Sequence, residues 1–201
     1  MVRDGIFYAL ALTAGGALVC WLLWPALGVP LFVLAGFCLW FFRDPEREIP
    51  PGPVAVSPAD GKVVLVRNEG PLTRVSVFLN IFDVHVNRTP VAGRVTDVKY
   101  SPGRFLVASR EEASADNEQN TMTVVEGDGT RVVFSQIAGL IARRIVCYKK
   151  PGDAVRTGER IGLIKFGSRM DVLLGPEWAI EVRPGERVKA GSSVLARRKD
   201  K

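Results

Sequence analysis

Hydrophobic and polar positions divide this chain into two unlike parts. From Gly5 to Phe42 there is no charged residue. As one straight helix that block would run about 57 Å at ~1.5 Å per residue, against a bilayer core of ~30 Å. Pro25, Gly28 and Pro30 interrupt it. The pattern predicts a helical hairpin with a first arm, Ile6 to Trp24, long enough to span, and a shorter second arm, Leu31 to Phe42. Either two membrane helices or a hairpin dipping into one leaflet fits. Both place Arg3 and Arg43/Arg47 on one side, and the positive-inside bias makes that side cytoplasmic. Trp21, Trp24 and Trp40 suit an interfacial belt. A cleaved signal peptide fits poorly, because a second apolar arm follows at once. A buried hairpin in a soluble protein is the competing reading.

The pattern changes after the charged, proline-rich stretch Arg43–Pro53. Short runs of Val, Ile and Leu follow, punctuated by Gly, Pro and Asp. Expected strands are 61–66, 74–79, 93–100, 121–125, 131–136, 144–146, 160–165, 170–174 and 187–196. Residues 138–143 read as either strand or helix, and the polar stretch 108–120 as a loop, with 109–120 a candidate gate. The organisation is a hydrophobic hairpin over 1–43, a linker over 44–56 and a β domain over 57–201. Pro151–Gly158 and Pro184–Gly191 form a near-repeat of turn, short strand and Gly turn. That repeat resembles the hairpins of biotinyl/lipoyl-like domains. The fold class is therefore mainly β, a flattened barrel or sandwich preceded by the helical hairpin.

Charge narrows the partners. The formal net charge of +6 is mildly basic, without the dense Lys/Arg and interleaved aromatics of a nucleic-acid surface. An anionic membrane suits it better. Cys20, Cys38 and Cys147 lack CxxC spacing and there is one histidine, so neither a disulfide framework nor a metal site is expected.

Three residues could carry chemistry: Asp60 in Ser57-Pro-Ala-Asp-Gly, His85 in Asp83-Val-His-Val-Asn-Arg-Thr-Pro90, and Ser168 after Gly167. Each has a bland alternative as a turn aspartate, a structural histidine and an ordinary serine. Together they can assemble nucleophilic chemistry. No Gly-x-Ser-x-Gly elbow surrounds Ser168. The preceding glycine instead allows attack of Ser168 Oγ on the Gly167 carbonyl. Elimination from the resulting ester would leave a pyruvoyl group on the new N-terminus, an electron sink for a primary amine. Gly191-Ser192 is a second Gly-Ser pair.

Long stretches resemble a known family. They are Phe42-Arg-Asp-Pro45, Ser57–Lys62, Phe82–Gly93, Asn117–Met122, Gln136–Ile145 and Phe166-Gly-Ser-Arg-Met-Asp171. In this order they resemble the short-form phosphatidylserine decarboxylase proenzymes, and archaetidylserine decarboxylases look similar. The resemblance implies self-cleavage at Gly167-Ser168 into a β chain, 1–167, and an α chain, 168–201, that stay together as a heterodimer. Ser168 becomes a covalent pyruvoyl cofactor, and the catalytic residues are Ser168, His85 and Asp60. It implies phosphatidylserine in an anionic membrane as substrate and leaves a homo-oligomer open; the arginine bias puts the catalytic domain on the cytoplasmic side of the cell membrane. Gly191-Ser192 lacks the family's cleavage context. Arg88 stands where long-form relatives carry a second histidine, so either His85 serves both processing and turnover, oriented by Asp60, or another group takes one of the steps. Arg43 and Arg47 are candidates for lipid phosphates. A membrane-anchored lipoyl-like adaptor and a tethered serine peptidase are the rival readings.

Overall fold

A computed structural model describes residues 1–109, 113–140, 144–165 and 167–199. It contains two compact units, Met1–Glu46 and Arg47–Lys201.

The first unit is a pair of helices, α1 (Arg3–Leu22) and α2 (Pro25–Phe41). The break is proline chemistry. Trp24 is extended, at φ −148° and ψ 133°, as a residue before proline prefers, and Pro25 opens α2 at its first turn. Small residues let the helices approach closely. A Cβ on Gly28 would stand 2.7 Å from the Gly16 carbonyl oxygen and 2.3 Å from Cys20 Sγ. Small-residue contacts of this kind recur between membrane helices. The 20-residue α1 is apolar and long enough to cross a bilayer, whereas α2 has 17 residues. Most of their large apolar side chains, Trp21, Leu22 and Val33 among them, are exposed. A helix with this surface is compatible with membrane association.

The second unit is mainly β. In chain order the strands are β1 (Val54–Val56), β2 (Gly61–Glu69), β3 (Leu72–Leu79), β4 (Val86–Arg88), β5 (Gly93–Ser101), β6 (Gln119–Val125), β7 (Arg131–Ala138), β8 (Ile145–Cys147), β9 (Ala154–Val155), β10 (Arg160–Ile164), β11 (Ser168–Leu174), β12 (Trp178–Ile180), β13 (Arg187–Val188) and β14 (Val194–Arg198). A four-residue helix, α3 (Ala113–Asp116), precedes β6. Eight strands form a curled sheet in the order β13-β2-β3-β11-β7-β6-β5-β9, and two three-stranded sheets, β4-β10-β8 and β1-β14-β12, complete the unit. Their inner faces share one core that includes Val63, Val77, Leu79, Met122, Phe134, Ile164, Met170, Leu174 and Leu195. The near-repeat supplies both edges of the large sheet, with β9 from Pro151–Gly158 and β13 from Pro184–Gly191. Each edge pairs at a glycine, Gly93 or Gly61, where a Cβ would meet the Val125 or Phe78 carbonyl.

Several boundaries differ from expectation. The 187–196 run is two strands in two sheets, split by the Gly191 turn at φ +77°. The 108–120 stretch is not wholly loop, because α3 and the start of β6 lie in it. Within the segment read as a linker, β1 pairs antiparallel with β14. Residues 110–112 and 141–143 of the candidate gate and the ambiguous stretch lie outside the described residues, as does Phe166.

Candidate active site

Three neighbouring strands of the large sheet, β3, β11 and β7, face three strands of the small one, β4, β10 and β8, in the same order. The chain runs from β3 into β4, from β7 into β8 and from β10 into β11. Three adjacent strands thus change sheets in step, forming a corner of the kind that closes a sandwich. Gly167-Ser168 lies at this corner on the middle path. Ser168 is the first residue of β11, paired with Leu79 on one side and Ala138 on the other. Gly167 takes φ +51°, a left-handed conformation natural to glycine.

Ser168 faces the core with Met170 and Val172. It is fully buried, and its Oγ has no hydrogen-bond partner among the described residues. A buried hydroxyl left in that state costs about 1–3 kcal/mol, so it marks a site with a role to explain. The Gly167 carbonyl is closely packed. A Cβ on Gly139, just beyond β7, would stand 2.2 Å from its oxygen and 3.1 Å from Ala108 Cβ. Only a glycine at 139 leaves that carbonyl where it is.

His85 sits in the β3–β4 crossing and is buried. The Ile164 N–H donates to the His85 carbonyl at 3.4 Å, which places it beside the middle path a few residues before Ser168. Its Nδ1 is 2.9 Å from the Asp83 carbonyl oxygen. A carbonyl only accepts, so Nδ1 carries the proton and Nε2 is the basic nitrogen. Asp83 is itself fixed. Its carboxylate accepts from the Asn80 N–H at 2.9 Å and pairs with Arg187.

Asp60 is held otherwise than expected. Arg47 binds both its oxygens, at 2.9 and 2.8 Å, and the Ala190 N–H donates to Oδ1 at 2.8 Å. The structure therefore brings Asp60 to Arg47 rather than to His85 directly. Register places Asp60 and Ser168 on opposite sides of β3, about two strand spacings or ~10 Å apart. The Asp60 turn touches the His85 strand through its backbone, where the Arg88 N–H donates to the Pro58 carbonyl at 2.9 Å. Arg47, nine-tenths buried on this carboxylate, is not a free lipid-phosphate ligand. Arg43 lies over the Trp40 ring at 4.2 Å. Arg88 is buried and donates to the Gly158 carbonyl at 2.9 Å, so the residue in the second-histidine position braces a turn.

Two polar clusters stiffen the corner. On the core side Gln136 donates to Asn87 at 2.9 Å and accepts from Asn120 at 3.2 Å, tying the large sheet to the small one. On the other face of β11, Arg169 is 1% exposed and donates to Asp171 at 2.7 Å and Ser76 at 2.6 Å. Ser114 of α3 reaches Asp171 at 2.5 Å beside a cavity of about 240 Å³ that Arg74 and Thr121 also line. Asn117 binds Leu106 and Ala138 and pins the stretch before β6 to the end of β7.

Motif reading reached Ser168, Gly167, His85 and Asp60. It missed Asp83, Gly139 and Arg169, although all three lie within the quoted motifs.

Comparison with known proteins supplies the family. The family model described as phosphatidylserine decarboxylase matches residues 34–196. A phosphatidylserine decarboxylase proenzyme of Solibacter usitatus is 69% identical over 201 residues, covering 100% of this chain and 98% of its own. One from Erythrobacter litoralis is 45% identical, covering 96% of this chain and 86% of its own, and one from Syntrophus aciditrophicus is 50% identical, covering 79% and 78%.

Proposed function

The chain belongs to the phosphatidylserine decarboxylase family, and we propose that it makes its own carbonyl cofactor by cutting itself between Gly167 and Ser168. It is a lyase that converts phosphatidylserine to phosphatidylethanolamine. The observation that carries the proposal is the buried Ser168 Oγ, without a hydrogen-bond partner among the described residues, next to a left-handed glycine.

Processing follows from the residues present. His85 Nε2 takes the Ser168 proton, and Oγ attacks the Gly167 carbonyl carbon. The peptide C–N bond breaks, giving an ester and a free amine on residue 168. Loss of the residue-168 α-proton then expels the Gly167 carboxylate and leaves dehydroalanine. Water adds, ammonia departs, and a pyruvoyl group remains in amide linkage to Arg169. This group fits the site, because elimination carries the buried hydroxyl away with the Gly167 carboxylate and leaves a methyl there, with no donor to satisfy. It supplies a carbonyl that condenses with the substrate amine and accepts the electron pair released with CO2.

The remaining work falls to the chain. Ladders to β3 and β7 hold residue 168 on both sides after the cut. His85, fixed through Nδ1 by the Asp83 carbonyl, returns a proton to the substrate carbon that has lost CO2. Asp60 supports it indirectly, by fixing the Ser57–Asp60 turn on which β4 leans. Chains 1–167 and 168–201 remain a heterodimer. The apolar helices anchor the protein at the cell membrane, with the Arg3 and Arg43 flanks favouring the cytoplasmic side.

Intact-mass measurement of the purified protein tests this. Two fragments divided at Gly167/Ser168, the smaller with a pyruvoyl terminus, are expected, and a single 22.0 kDa chain would overturn the proposal. The His85→Ala variant is expected to stay uncut; normal cleavage in it removes His85 from processing.

A further inference from the structure

Large apolar side chains exposed in the second unit are few. They are Ile49, Ile81, Phe82, Tyr100, Val107, Leu140 and Tyr148 among the described residues. Four of these seven gather at the corner that holds the scissile bond. Ile81 and Phe82 lie on the β3–β4 crossing, just past Leu79, which pairs with Ser168. Leu140 lies on the β7–β8 crossing, just past Ala138, which pairs with Ser168 from the other side. Val107 adjoins Ala108, which packs near Gly139. Phe82 is 67% exposed and Leu140 60%. The strands that lead into the two therefore flank Ser168, each about one strand spacing, ~5 Å, to either side.

The backbone holds them out. The Asn80 side-chain oxygen accepts from the Phe82 N–H at 2.7 Å, and the Asp83 N–H donates back to the Asn80 carbonyl at 3.1 Å. This tight turn presents Ile81-Phe82 at its tip. Cations stand near the same rim. Lys62 is exposed and pairs in register with Phe78 and Arg187, and the Arg187 side chain is 63% exposed. Arg144, exposed, follows on the β7–β8 side. Apolar tips with basic neighbours fit an anionic bilayer surface.

We propose that Ile81, Phe82, Val107 and Leu140 form a rim that seats the corner in the bilayer and lets phosphatidylserine enter without leaving it. The inference rests on the phosphatidylserine reading of the site. Ser168 is fully buried, so the head group must pass under this rim to reach it. With the rim sunk to the acyl boundary, head groups lie level with the entrance while their chains stay in lipid. The occupant is a lipid surface and not a protein, because the substrate itself resides there.

The test separates interfacial entry from chemistry. Phe82→Asp/Leu140→Asp is compared with the unaltered enzyme on two substrates: phosphatidylserine in phosphatidylcholine vesicles, and dihexanoyl phosphatidylserine below its critical micelle concentration. Charges at an apolar interface are costly, so kcat/KM on vesicles should fall about tenfold or more while that on the monomeric lipid changes less than about twofold. Phe82→Trp should keep vesicle activity, because Trp is at home in that layer. Intact mass confirms that each variant has cut itself; if the double variant has not, Phe82→Asp alone is assayed in the same way. Parallel losses on both substrates, or no loss on either, would overturn the rim. No turnover of either lipid by the unaltered enzyme would instead sink the decarboxylase reading.

Discussion

Gly139→Ala offers the sharpest probe of how the scissile bond is held. The new Cβ would stand 2.2 Å from the Gly167 oxygen. Ordinary contact begins at 3.4 Å, so the carbonyl or the Gly139 backbone must move by about 1 Å. The Gly139 backbone itself accepts alanine, since its φ is not left-handed. The cost to the fold is that of a tight overpacked contact, about 1–3 kcal/mol. The effect on chemistry is larger, because a displacement of about 1 Å at a reacting carbonyl costs on the order of 100-fold in rate. Self-cleavage is followed after synthesis by denaturing gel and intact mass, with circular dichroism reporting the fold. A folded protein cut about 100-fold more slowly is the expected result. Adding Ala108→Gly relieves the 3.1 Å contact with Ala108 but not the clash with the carbonyl, so the double variant should stay slow. Wild-type cleavage in folded Gly139→Ala, or full rescue by Ala108→Gly, would refute the link between Gly139 and the carbonyl.

Further outcomes follow from the same contacts. Arg169→Met, in a Ser168→Ala background that keeps the chain whole, leaves the Asp171 carboxylate buried with, among the described residues, Arg74 at 3.5 Å and Ser114 as partners. Breaking a buried pair this way costs about 3 kcal/mol, or roughly 6–12 °C in Tm for a domain of this size; a drop under about 2 °C would show the network to be dispensable. At Glu159, burial pushes the carboxyl up, but hydrogen bonds from Lys149 and the Arg156 N–H, with both charges, outweigh it and hold the carboxyl below the usual glutamate range. A depressed carboxyl stabilises the fold above its unfolded pKa, about 4.3, and that contribution is lost as pH falls through the folded value. Lys149→Met should therefore lower the urea midpoint at neutral pH and converge with the parent in acid. An equal loss at both pH values would assign Lys149 a packing role.

What could be read from the sequence followed from periodicity and motif length. Strands β2, β3, β5, β6 and β7 have seven or more residues each and show their pattern of Val and Ile openly. The two- and three-residue strands β4, β9 and β12 have no period to read and exist because neighbours supply their ladders. The Ser168, His85 and Asp60 motifs were visible, but their partnerships were not. Asp60 meets Arg47 from a proline-rich stretch that reads as a tether. His85 is oriented by a backbone carbonyl, and carbonyls carry no sequence signature. Gly139 looks like any turn glycine until Gly167, far along the chain, is folded against it.

The corner's middle path has one more consequence. The proposed cut before Ser168 would sever the chain inside a sheet, and the 168–201 piece contributes strands to two of the three sheets. Before the cut, bringing β11 between β3 and β7 is a loop closure within one molecule, whose entropy grows slowly with length. Afterwards the same strand must be captured from solution by a second molecule, at whatever concentration prevails. The precursor folds as one molecule, while the cut enzyme, once denatured, would face a bimolecular search by fragments with exposed strand edges. Its working lifetime would then be set by how slowly it unfolds and not by how well it refolds, so the proposed self-cleavage would also be the molecule's last opportunity to correct its own fold.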